Sequence, residues 1–434
     1  MARFQPPLFT RTWFLLALLA PAGAFVSPWL GLGILAALVA VGLYDGRRAA
    51  TTDRVDVALA LEPRASLGGT VEARLQLRAR GDAPVEGSAA LELDGALVSS
   101  HGTRIAPFVA DPSSELTFEL GALRRGYHGV HAVHVVVRGP LGLAVGRARR
   151  PLEAQTLIAA GLAAALRLEL RHRLGQRLEV GRHTTRQRGD AGTFDSLREY
   201  QRGDDPRRID WKASGRRGHP VVRLMTAERR QDIVLVLDLG RSQREFHGGK
   251  ERLDDSLEAA LCLGAAAAAY GDRVGLLAFS GTVVRWLPPA VRSLGSLAKE
   301  MAVLNATAEE PDYKGALLEL AQRLPRRALV VLFSDAVDEE VSEPLIAGLS
   351  MLSRRHLALF AALQSPALLD ATERPITAPR DMYLLAAILE LNRARATALE
   401  GLRRCGIQVL DVPSARAAPA AVAAYLDIKG RGRL

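Results

Sequence analysis

The feature that most constrains the fold is a pair of short, wholly apolar runs in the second half of the chain. Ile233–Leu237 reads IVLVL and ends at Asp238. Ala328–Phe333 reads ALVVLF and is followed by Ser334 and Asp335. Apolar runs without alternation are typical of strands buried on both faces of a parallel sheet. Both runs therefore predict central strands that end in a carboxylate.

Helical and strand-like patterns alternate around these two runs. Further strands are predicted at Arg273–Phe279, Val283–Leu287, His356–Leu363 and Ile407–Asp411. Helices are predicted at about Leu253–Tyr270, Ser293–Leu304, Lys314–Leu324, Pro344–Ser353, Leu384–Arg404 and Ala415–Leu426. This alternation predicts an α/β fold over residues 193–434, a doubly wound and mainly parallel sheet with helices on both faces.

The strand-end carboxylates are the first candidate site. Asp238 and Asp335 meet at one edge of the sheet if their strands are neighbours, and ligands bind at that edge in open α/β sheets. Ser242 adds a hydroxyl shortly after Asp238. Oxygen ligands suit Mg²⁺, so the three residues predict a degenerate, weakly binding metal site. The alternative is that both carboxylates cap helices or accept hydrogen bonds at strand ends, without a cofactor.

A dense charged segment precedes the first apolar run. Between Arg198 and Arg217 eleven of twenty residues are charged, with both signs interleaved around Trp211. Arginine favours bidentate carboxylate pairs, and a tryptophan inside such a run favours burial. We expect a flap tied by Arg–Asp pairs and anchored by Trp211 against the first strand, acting as a scaffold or as a recognition surface. The candidate binding residues are Arg198, Asp204, Arg207, Asp210, Trp211, Lys212 and Arg223.

The amino-terminal region predicts a membrane anchor. Thr12–Tyr44 contains no charged residue. One helix of this length would span about 50 Å at 1.5 Å per residue, whereas a bilayer core is roughly 30 Å thick. Prolines, glycine and serine in residues 20–29 break it, so we predict a transmembrane hairpin within residues 1–50, with helices at about Thr12–Phe25 and Trp29–Tyr44.

Arginines flank this apolar stretch on both outer ends, at Arg3, Arg11, Arg47 and Arg48. The positive-inside rule then places both ends in the cytoplasm and the anchor in the inner membrane. A cleaved secretory signal is the competing interpretation.

Residues 51–153 alternate apolar and polar residues between turn signals, which predicts a small β-sandwich-like domain. Its strands are expected at Val55–Leu61, Thr70–Leu77, Ser88–Val98, Leu116–Leu120 and His131–Val137. Residues 154–192 predict a helical, arginine-rich linker, with its helix over Ala154–Ala165.

Composition argues against several functions. The net charge is +10, but it is spread along the chain and only 5% of residues are aromatic, which disfavours nucleic acid as a partner. Two distant cysteines, Cys262 and Cys405, are expected to be reduced, as in a cytosolic protein. No phosphate loop, nucleophile elbow or cysteine–histidine pair occurs, so no catalytic residue and no small-molecule substrate can be identified.

The strand-end pattern resembles the metal-ion-dependent adhesion site of von Willebrand factor type A domains. Asp238 and Ser242 stand where that family has the first and last residues of D-x-S-x-S, and Asp335 stands where it has its later aspartate. Gly240 replaces the first serine, and no threonine fits the middle element. The resemblance implies a type A-like fold whose metal site lacks two hydroxyl ligands.

The charged segment resembles the bacterial family called "domain of unknown function 58". The matching positions are Phe194, Leu197, Arg198, Glu199, Tyr200, Gly203, Asp204, Asp205, Arg207, Ile209, Asp210, Trp211, Lys212, Ser214, Arg223 and Glu228. The turn motifs beginning at Arg124 and Arg138 (RRGYHGV and RGPLGL) also resemble that family's layout. The resemblance implies a partner, an AAA+ ATPase of the MoxR type.

The sequence as a whole predicts a membrane-anchored interaction or assembly factor that is not an enzyme. The alternative is a metal-dependent hydrolase that uses the strand-end carboxylates.

Overall fold

The computed structural model describes residues 8–49, 55–81, 84–99, 105–179, 188–201, 204, 206, 209–226, 230–335, 339–373 and 375–431. The chain divides into two compact units. The first contains residues 1–162 and 298–303, and the second contains residues 163–297 and 304–434. Together they form a mixed α/β protein with several sheets.

The first unit begins with strand β1 (Leu8–Phe9) and an apolar helical hairpin made of α1 (Arg11–Ala17), α2 (Leu19–Val26) and α3 (Pro28–Ala49). Among the described helices, α3 is the one that is long and apolar enough to span a membrane, while α1 and α2 together form a shorter apolar segment. The two arms touch, because the indole N–H of Trp13 donates to the carbonyl of Leu38 at 3.2 Å.

The first arm of this hairpin is divided, whereas the sequence predicts one continuous helix. The interruption falls at Leu18. Pro21 lacks the N–H that would bond the carbonyl of Ala17, four residues earlier, and its ring crowds that carbonyl. The chain reverses at Ser27, whose backbone is extended (φ −157°, ψ 133°) and which lies inside the predicted break.

Two sheets follow in the first unit, both antiparallel except for the parallel pair of β3 and β10. Their strands are β2 (Val55–Leu61), β3 (Arg64–Ser66), β4 (Thr70–Ala79), β5 (Val85–Leu93), β6 (Leu97–Ser99), β7 (Ile105–Ala110), β8 (Ser113–Ala122), β9 (Gly126–Arg138) and β10 (Ala144–Ala159). One sheet has the order β1-β10-β9-β5-β7, with β3 beside β10, and the other has the order β2-β4-β8-β6. Alternate residues of both sheets, such as Leu75 and Leu77 from β4 and Val133 and Val135 from β9, form one buried cluster.

The region predicted to be helical from Ala154 is a strand up to Ala159. Leu157 and Ile158 pair in parallel with Arg64 and Ala65 of β3, and this pairing extends β10 past the point where the apolar pattern turns helical. The helix α4 (Leu162–Glu179) starts only after Gly161, which has a positive φ of 69°. Tertiary strand pairing has overridden local helical propensity here.

The remaining elements of the chain are β11 (Arg188–Glu199), α5 (Trp211–Arg217), β12 (Val221–Thr226), β13 (Asp232–Asp238), β14 (Phe246–His247), β15 (Lys250–Glu251), α6 (Arg252–Ala269), β16 (Arg273–Phe279), β17 (Val283–Ala290), α7 (Leu294–Ala302), α8 (Tyr313–Arg323), β18 (Ala328–Ser334), α9 (Glu339–Ser353), β19 (Leu357–Gln364), α10 (Pro366–Glu373), α11 (Pro379–Arg404), β20 (Gln408–Pro413) and α12 (Ala417–Gly430).

The main sheet of the second unit has the order β17-β16-β13-β18-β19-β20. All its neighbours are parallel except the edge strand β17. The two apolar runs are neighbours, since Leu237 of β13 lies opposite Phe333 of β18. Their carboxyl ends therefore share one edge of the sheet, as predicted.

Helices cover both faces of this sheet. Val234 and Val236 pack into a buried cluster with residues of α8, α9 and α11. On the other face Leu235 lies against α6, where a Cβ at Gly264 would come within 3.4 Å of its side chain. All seven residues of β13 are buried. The strand's continuous apolar pattern follows from this two-sided burial.

Shortening Leu235 to alanine is expected to lower the free energy of unfolding by about 2–5 kcal/mol, because the variant leaves a cavity in a close-packed core. Urea denaturation of the full chain in detergent, monitored by circular dichroism, measures this free energy. Val284→Ala on the edge strand β17, which is 53% exposed, is the control and should change this free energy by no more than about 0.5 kcal/mol. Equal effects of the two substitutions would contradict the placement of β13 at the centre of the sheet.

Candidate functional site

The candidate site lies at the carboxyl edge of the main sheet, where β13 delivers Asp238. This carboxylate is fully buried. Its Oδ1 accepts a hydrogen bond from the backbone N–H of Gly240 at 2.7 Å. Its Oδ2 accepts from the hydroxyls of Tyr313 at 2.8 Å and Ser334 at 2.5 Å. Both oxygens of Asp238 are therefore used by protein donors.

Burial and these donors act on Asp238 in opposite directions. Burial raises the pKa of the carboxyl above its usual value and outweighs the hydrogen bonds from Ser334, Gly240 and Tyr313, which lower it. Burial, followed by the neighbouring charge of Asp238, also raises the pKa of Tyr313 well above its ordinary value. The tyrosine therefore stays a neutral hydrogen-bond donor to the carboxylate.

Asp335, the second candidate ligand, lies between two buried arginines. Arg252, the first residue of α6, donates to Asp335 Oδ2 at 2.5 Å. Arg395 of α11 donates to Asp335 Oδ1 and, at 2.9 Å, to Asp411 on β20. Arg252 also pairs with Glu245 at 3.2 Å. One carboxylate thus links α6, β18 and α11 at the edge of the sheet.

A cavity of about 550 Å³ opens beside these groups. The carboxylates that line it, Glu245, Glu310 and Asp335, are each paired with an arginine. Among the residues that the structure describes, no group of three or more acidic, histidine or cysteine side chains could hold a metal ion. A carboxylate already neutralised by two guanidinium groups is a poor ligand for Mg²⁺, so the residues present do not fit that ion.

Three further residues bear on the predicted metal motif: Ser242, Gly240, and Thr307, a threonine that does not fit its middle element. Ser242 lies on a 3₁₀ turn, Arg241–Arg244, with an exposed side chain. A Cβ at Gly240 would lie 2.7 Å from the ring of Pro311, so a serine at this position would collide with the neighbouring loop. Thr307 donates its hydroxyl to the carbonyl of Leu239 at 3.3 Å.

The groups that engage the two carboxylates were missed by sequence reasoning. Arg252 is 83 residues from Asp335, and Arg395 is 60 residues from it. Arg395 lies inside the predicted helix Leu384–Arg404, where it resembles an ordinary surface residue. Arg252 and Tyr313 each come directly before a predicted helix, and Tyr313 opens α8 with 3% of its surface exposed. A sequence pattern carries no signal for pairs this distant.

The charged segment forms a hairpin of β11 and β12 with the short helix α5 between the strands. Arg198 donates to both carboxylate oxygens of Asp204, at 2.8 and 2.9 Å, as the predicted Arg–Asp pair. Asp210 caps α5 by accepting from the N–H of Ala213 at 3.0 Å. Gly218 ends the helix in the left-handed region, with φ 74°. This part of the flap is therefore held by hydrogen bonds within the hairpin.

Trp211 does not anchor the flap, contrary to the expectation from the sequence. It is the first residue of α5, and 71% of its surface is exposed. The buried residue of this helix is Ser214, whose hydroxyl donates to the carbonyl of Asp210 and accepts from the N–H of Val221. A serine that bonds backbone groups thus takes the inward position, and the indole faces solvent.

Three other candidate binding residues remain, Lys212, Arg223 and Arg207. Lys212 is exposed beside Trp211 on α5. Arg223 lies on β12, in a part of the chain where the backbone alone is described. Arg207 lies outside the described residues. The structure therefore brings together Arg198 with Asp204, and Asp210 with Trp211 and Lys212.

Comparisons with known proteins agree with the resemblance over the flap and most of the main sheet. Residues 196–367 match the family model described as "Protein of unknown function DUF58". Over 147 residues the chain is 29% identical to uncharacterized proteins of Mycobacterium tuberculosis (strain ATCC 25618 / H37Rv) and Mycobacterium bovis (strain ATCC BAA-935 / AF2122/97). These matches cover 32% of this chain and 45% of each relative, so the chain spans about half the length of the curated relatives it matches.

A solved structure, the cupredoxin domain of amoB from Nitrosocaldus yellowstonii, matches 25% of this chain and 88% of its own at 8% identity. Its TM-score is 0.18, which is too low to carry a structural argument.

Replacing Asp335 by asparagine is expected to lower the free energy of unfolding by about 3–5 kcal/mol, because Arg252 and Arg395 then keep buried charges without their shared partner. Urea denaturation of the full chain measures this loss. Glu319→Gln is the control: it breaks an exposed pair with Arg323 on α8 and should cost at most about 0.5 kcal/mol. A loss as small as that of the control would contradict the assigned role of Asp335.

The raised pKa of Asp238 predicts a pH dependence of stability. In the unfolded chain the carboxyl of Asp238 ionises at about pH 4, whereas in the folded protein it keeps its proton to a higher pH. Raising the pH through this window therefore lowers the free energy of unfolding of the wild type relative to Asp238→Asn, which does not titrate. Urea denaturation of both proteins across the window measures the difference, and a difference that does not vary with pH would contradict the prediction.

Proposed function

We propose that this chain is a membrane-anchored interaction or assembly factor that works with an AAA+ ATPase of the MoxR type on the cytoplasmic face of the inner membrane. The observation that carries the proposal is the exposed indole of Trp211 on a short helix whose two ends are capped. A large aromatic side chain that a capped helix holds in solvent is available to a partner, and burying its apolar surface there is favourable. Tryptophan is also among the residues that dominate binding energy at protein interfaces.

The charge around Trp211 specifies the kind of partner surface. Lys212, Arg216 and Arg217 are exposed on α5. Asp210, the nearest described acidic residue, is used as the helix cap. A cationic rim around an aromatic anchor favours an acidic surface on the partner, and the charges speed association at low salt. The identity of the partner as an ATPase rests on the resemblance to the family.

The fold supports a type A-like platform for this contact. The strand order β17-β16-β13-β18-β19-β20, with β17 alone antiparallel, places the switch in strand order next to Asp238. We interpret the second unit as a von Willebrand type A-like domain whose metal site has been replaced by Arg252 and Arg395. The two sheets that share a core in the first unit support a β-sandwich spacer.

The apolar hairpin supports anchoring. Arg11 opens α1, and Arg47 and Arg48 lie in the last turn of α3. By the positive-inside rule this end of the hairpin faces the cytoplasm, with the second unit on the same side. A hydrolytic function is not proposed, because the oxygens of Asp238 and Asp335 are occupied by protein donors rather than open to a metal or a water.

Trp211→Ala is expected to reduce the amount of ATPase that co-purifies with the full chain by about tenfold or more. Loss of a tryptophan that dominates an interface costs about 2 kcal/mol of binding free energy or more. The measurement is a pull-down from detergent-solubilised membranes with the cognate MoxR-type ATPase as the probe. Tyr383→Ala on α11 is the control, because Tyr383 is also an exposed aromatic residue, at 80%. Lys212→Glu should reduce recovery as well, and more strongly at low salt.

If Trp211→Ala recovers as much ATPase as the wild type, the flap is not a recognition surface and remains a scaffold. Phosphatase turnover that Asp238→Ala abolishes would instead favour the hydrolase.

A further inference from the structure

A buried carboxylate near the end of α3 has no part in the proposed interaction surface. Asp45 is completely buried. It accepts hydrogen bonds from the backbone N–H groups of Leu141 at 2.8 Å, Leu143 at 2.7 Å and Ala144 at 2.8 Å. Leu141 and Leu143 belong to the turn between β9 and β10, which corresponds to the RGPLGL motif, and Ala144 is the first residue of β10. Bonds from several amides to a carboxylate are strong and fix geometry.

The first arm of the hairpin holds the same turn. The hydroxyls of Thr10 and Thr12 donate to the carbonyl of Gly142 at 2.8 and 3.1 Å. The N–H of Thr10 donates to the carbonyl of Leu143, and β1 continues the contact by pairing with β10. Both arms of the apolar hairpin are therefore bonded to one turn of the β domain.

Gly139 shows how closely the turn approaches the helix. A Cβ at this position would lie 2.5 Å from the carboxylate of Asp45, so no larger residue fits without displacing it. This contact explains the RGPLGL motif. Gly139 allows the turn to approach α3 closely, and the backbone amides that follow it donate to the carboxylate of Asp45.

The position of this contact along the hairpin is defined by the sequence. Asp45 directly follows Tyr44, the last residue of the uncharged stretch, and Arg11 marks the other arm at the same end. The arms are in register there, because a Cβ at Gly42 would lie 2.5 Å from the indole nitrogen of Trp13. If α3 spans a bilayer, the docked turn lies at the boundary between hydrocarbon and headgroups.

The tip of the turn is apolar and exposed. Leu141 has 55% of its surface exposed, and Pro140 beside it is also exposed. On α3 the neighbouring Leu43 and Tyr44 are exposed as well. An apolar tip held at this height adjoins the surface that α3 offers to lipid, and burying it in the interface is favourable.

We propose that the turn between β9 and β10 is an additional membrane contact, with Leu141 inserted into the bilayer interface and Asp45 as the lock that holds it there. The ligand is a lipid bilayer. The inference rests on the membrane anchoring proposed above and adds that the β domain lies directly on the bilayer.

The test places a nitroxide label on Leu141→Cys in the full chain, in a Cys405→Ser background because Cys405 is exposed and Cys262 is buried. The protein is reconstituted into vesicles of phosphatidylethanolamine and phosphatidylglycerol. Electron paramagnetic resonance then measures collisions of the label with oxygen, which partitions into lipid, and with a nickel chelate, which stays in water. Ile105→Cys is the matched control, since Ile105 is 61% exposed on β7, at the opposite edge of the sheet from β1.

A label at Leu35→Cys, on the exposed surface of α3, reports on the anchor itself. We expect the labels at 35 and 141 to be protected from nickel and accessible to oxygen, and the label at 105 to show the reverse. A label at 35 in lipid with the label at 141 in water overturns the inference and leaves the anchor intact. A label at 35 in water overturns the anchor and the inference together.

The lock is tested by adding Asp45→Asn to the Leu141→Cys chain. Asparagine presents an NH₂ group where one of the amide donors needs an acceptor, so the label at 141 should lose its protection from nickel and approach the accessibility seen at 105. The label at 35 should not change. Unchanged protection at 141 would show that Asp45 does not hold the tip, and would overturn the lock.

Discussion

The ion pairs around Asp335 hold the carboxyl edge of the main sheet together. Arg252 and Arg395 enter from two different helices, and each of their charges is buried. Desolvating these groups is expensive, so the network is no large net source of stability compared with an apolar packing of equal volume. Its effect is geometric: the guanidinium groups fix the position of the first residue of α6 and of the middle of α11 at the edge of the sheet, and they occupy both carboxylate oxygens of Asp335.

The sequence predicts the second unit's sheet well because its signals are local. A continuous apolar run reports burial on both faces, and the strand Arg273–Phe279 has the predicted bounds. β2 is predicted with equal accuracy from its alternation. Two misses have different causes. β10 is extended by its non-local pairing with β3, whereas α10 lies in a segment whose own sequence has no clear apolar period. The partners of Asp238 and Asp335 come from distant helices, so no spacing rule could find them.

In the flap, composition predicts the charge pairing correctly and the position of the tryptophan incorrectly. Its composition predicts paired charges, and the pair Arg198–Asp204 is present. Burial of the tryptophan is predicted from hydrophobicity alone and is wrong, because the hydroxyl of Ser214 satisfies the backbone of the strand beneath it and takes the inward place. Position relative to a helix cap, rather than apolar character, decides which side chain faces solvent. The match to the family model covers this region but ends before Arg395, so the network at the sheet edge includes a residue outside the matched segment.

The contact between α3 and the β9–β10 turn joins residues that are made at different times during synthesis. Asp45 and its amide donors are separated by 96 to 99 residues. During synthesis the hairpin emerges before the strands, and the carboxylate of Asp45 meets these donors only after about a hundred further residues have been added. Contacts of this separation form late, because the intervening loop must close first. The two sheets therefore complete their pairing after the hairpin has been made, when β10, the last of their strands, reaches α3.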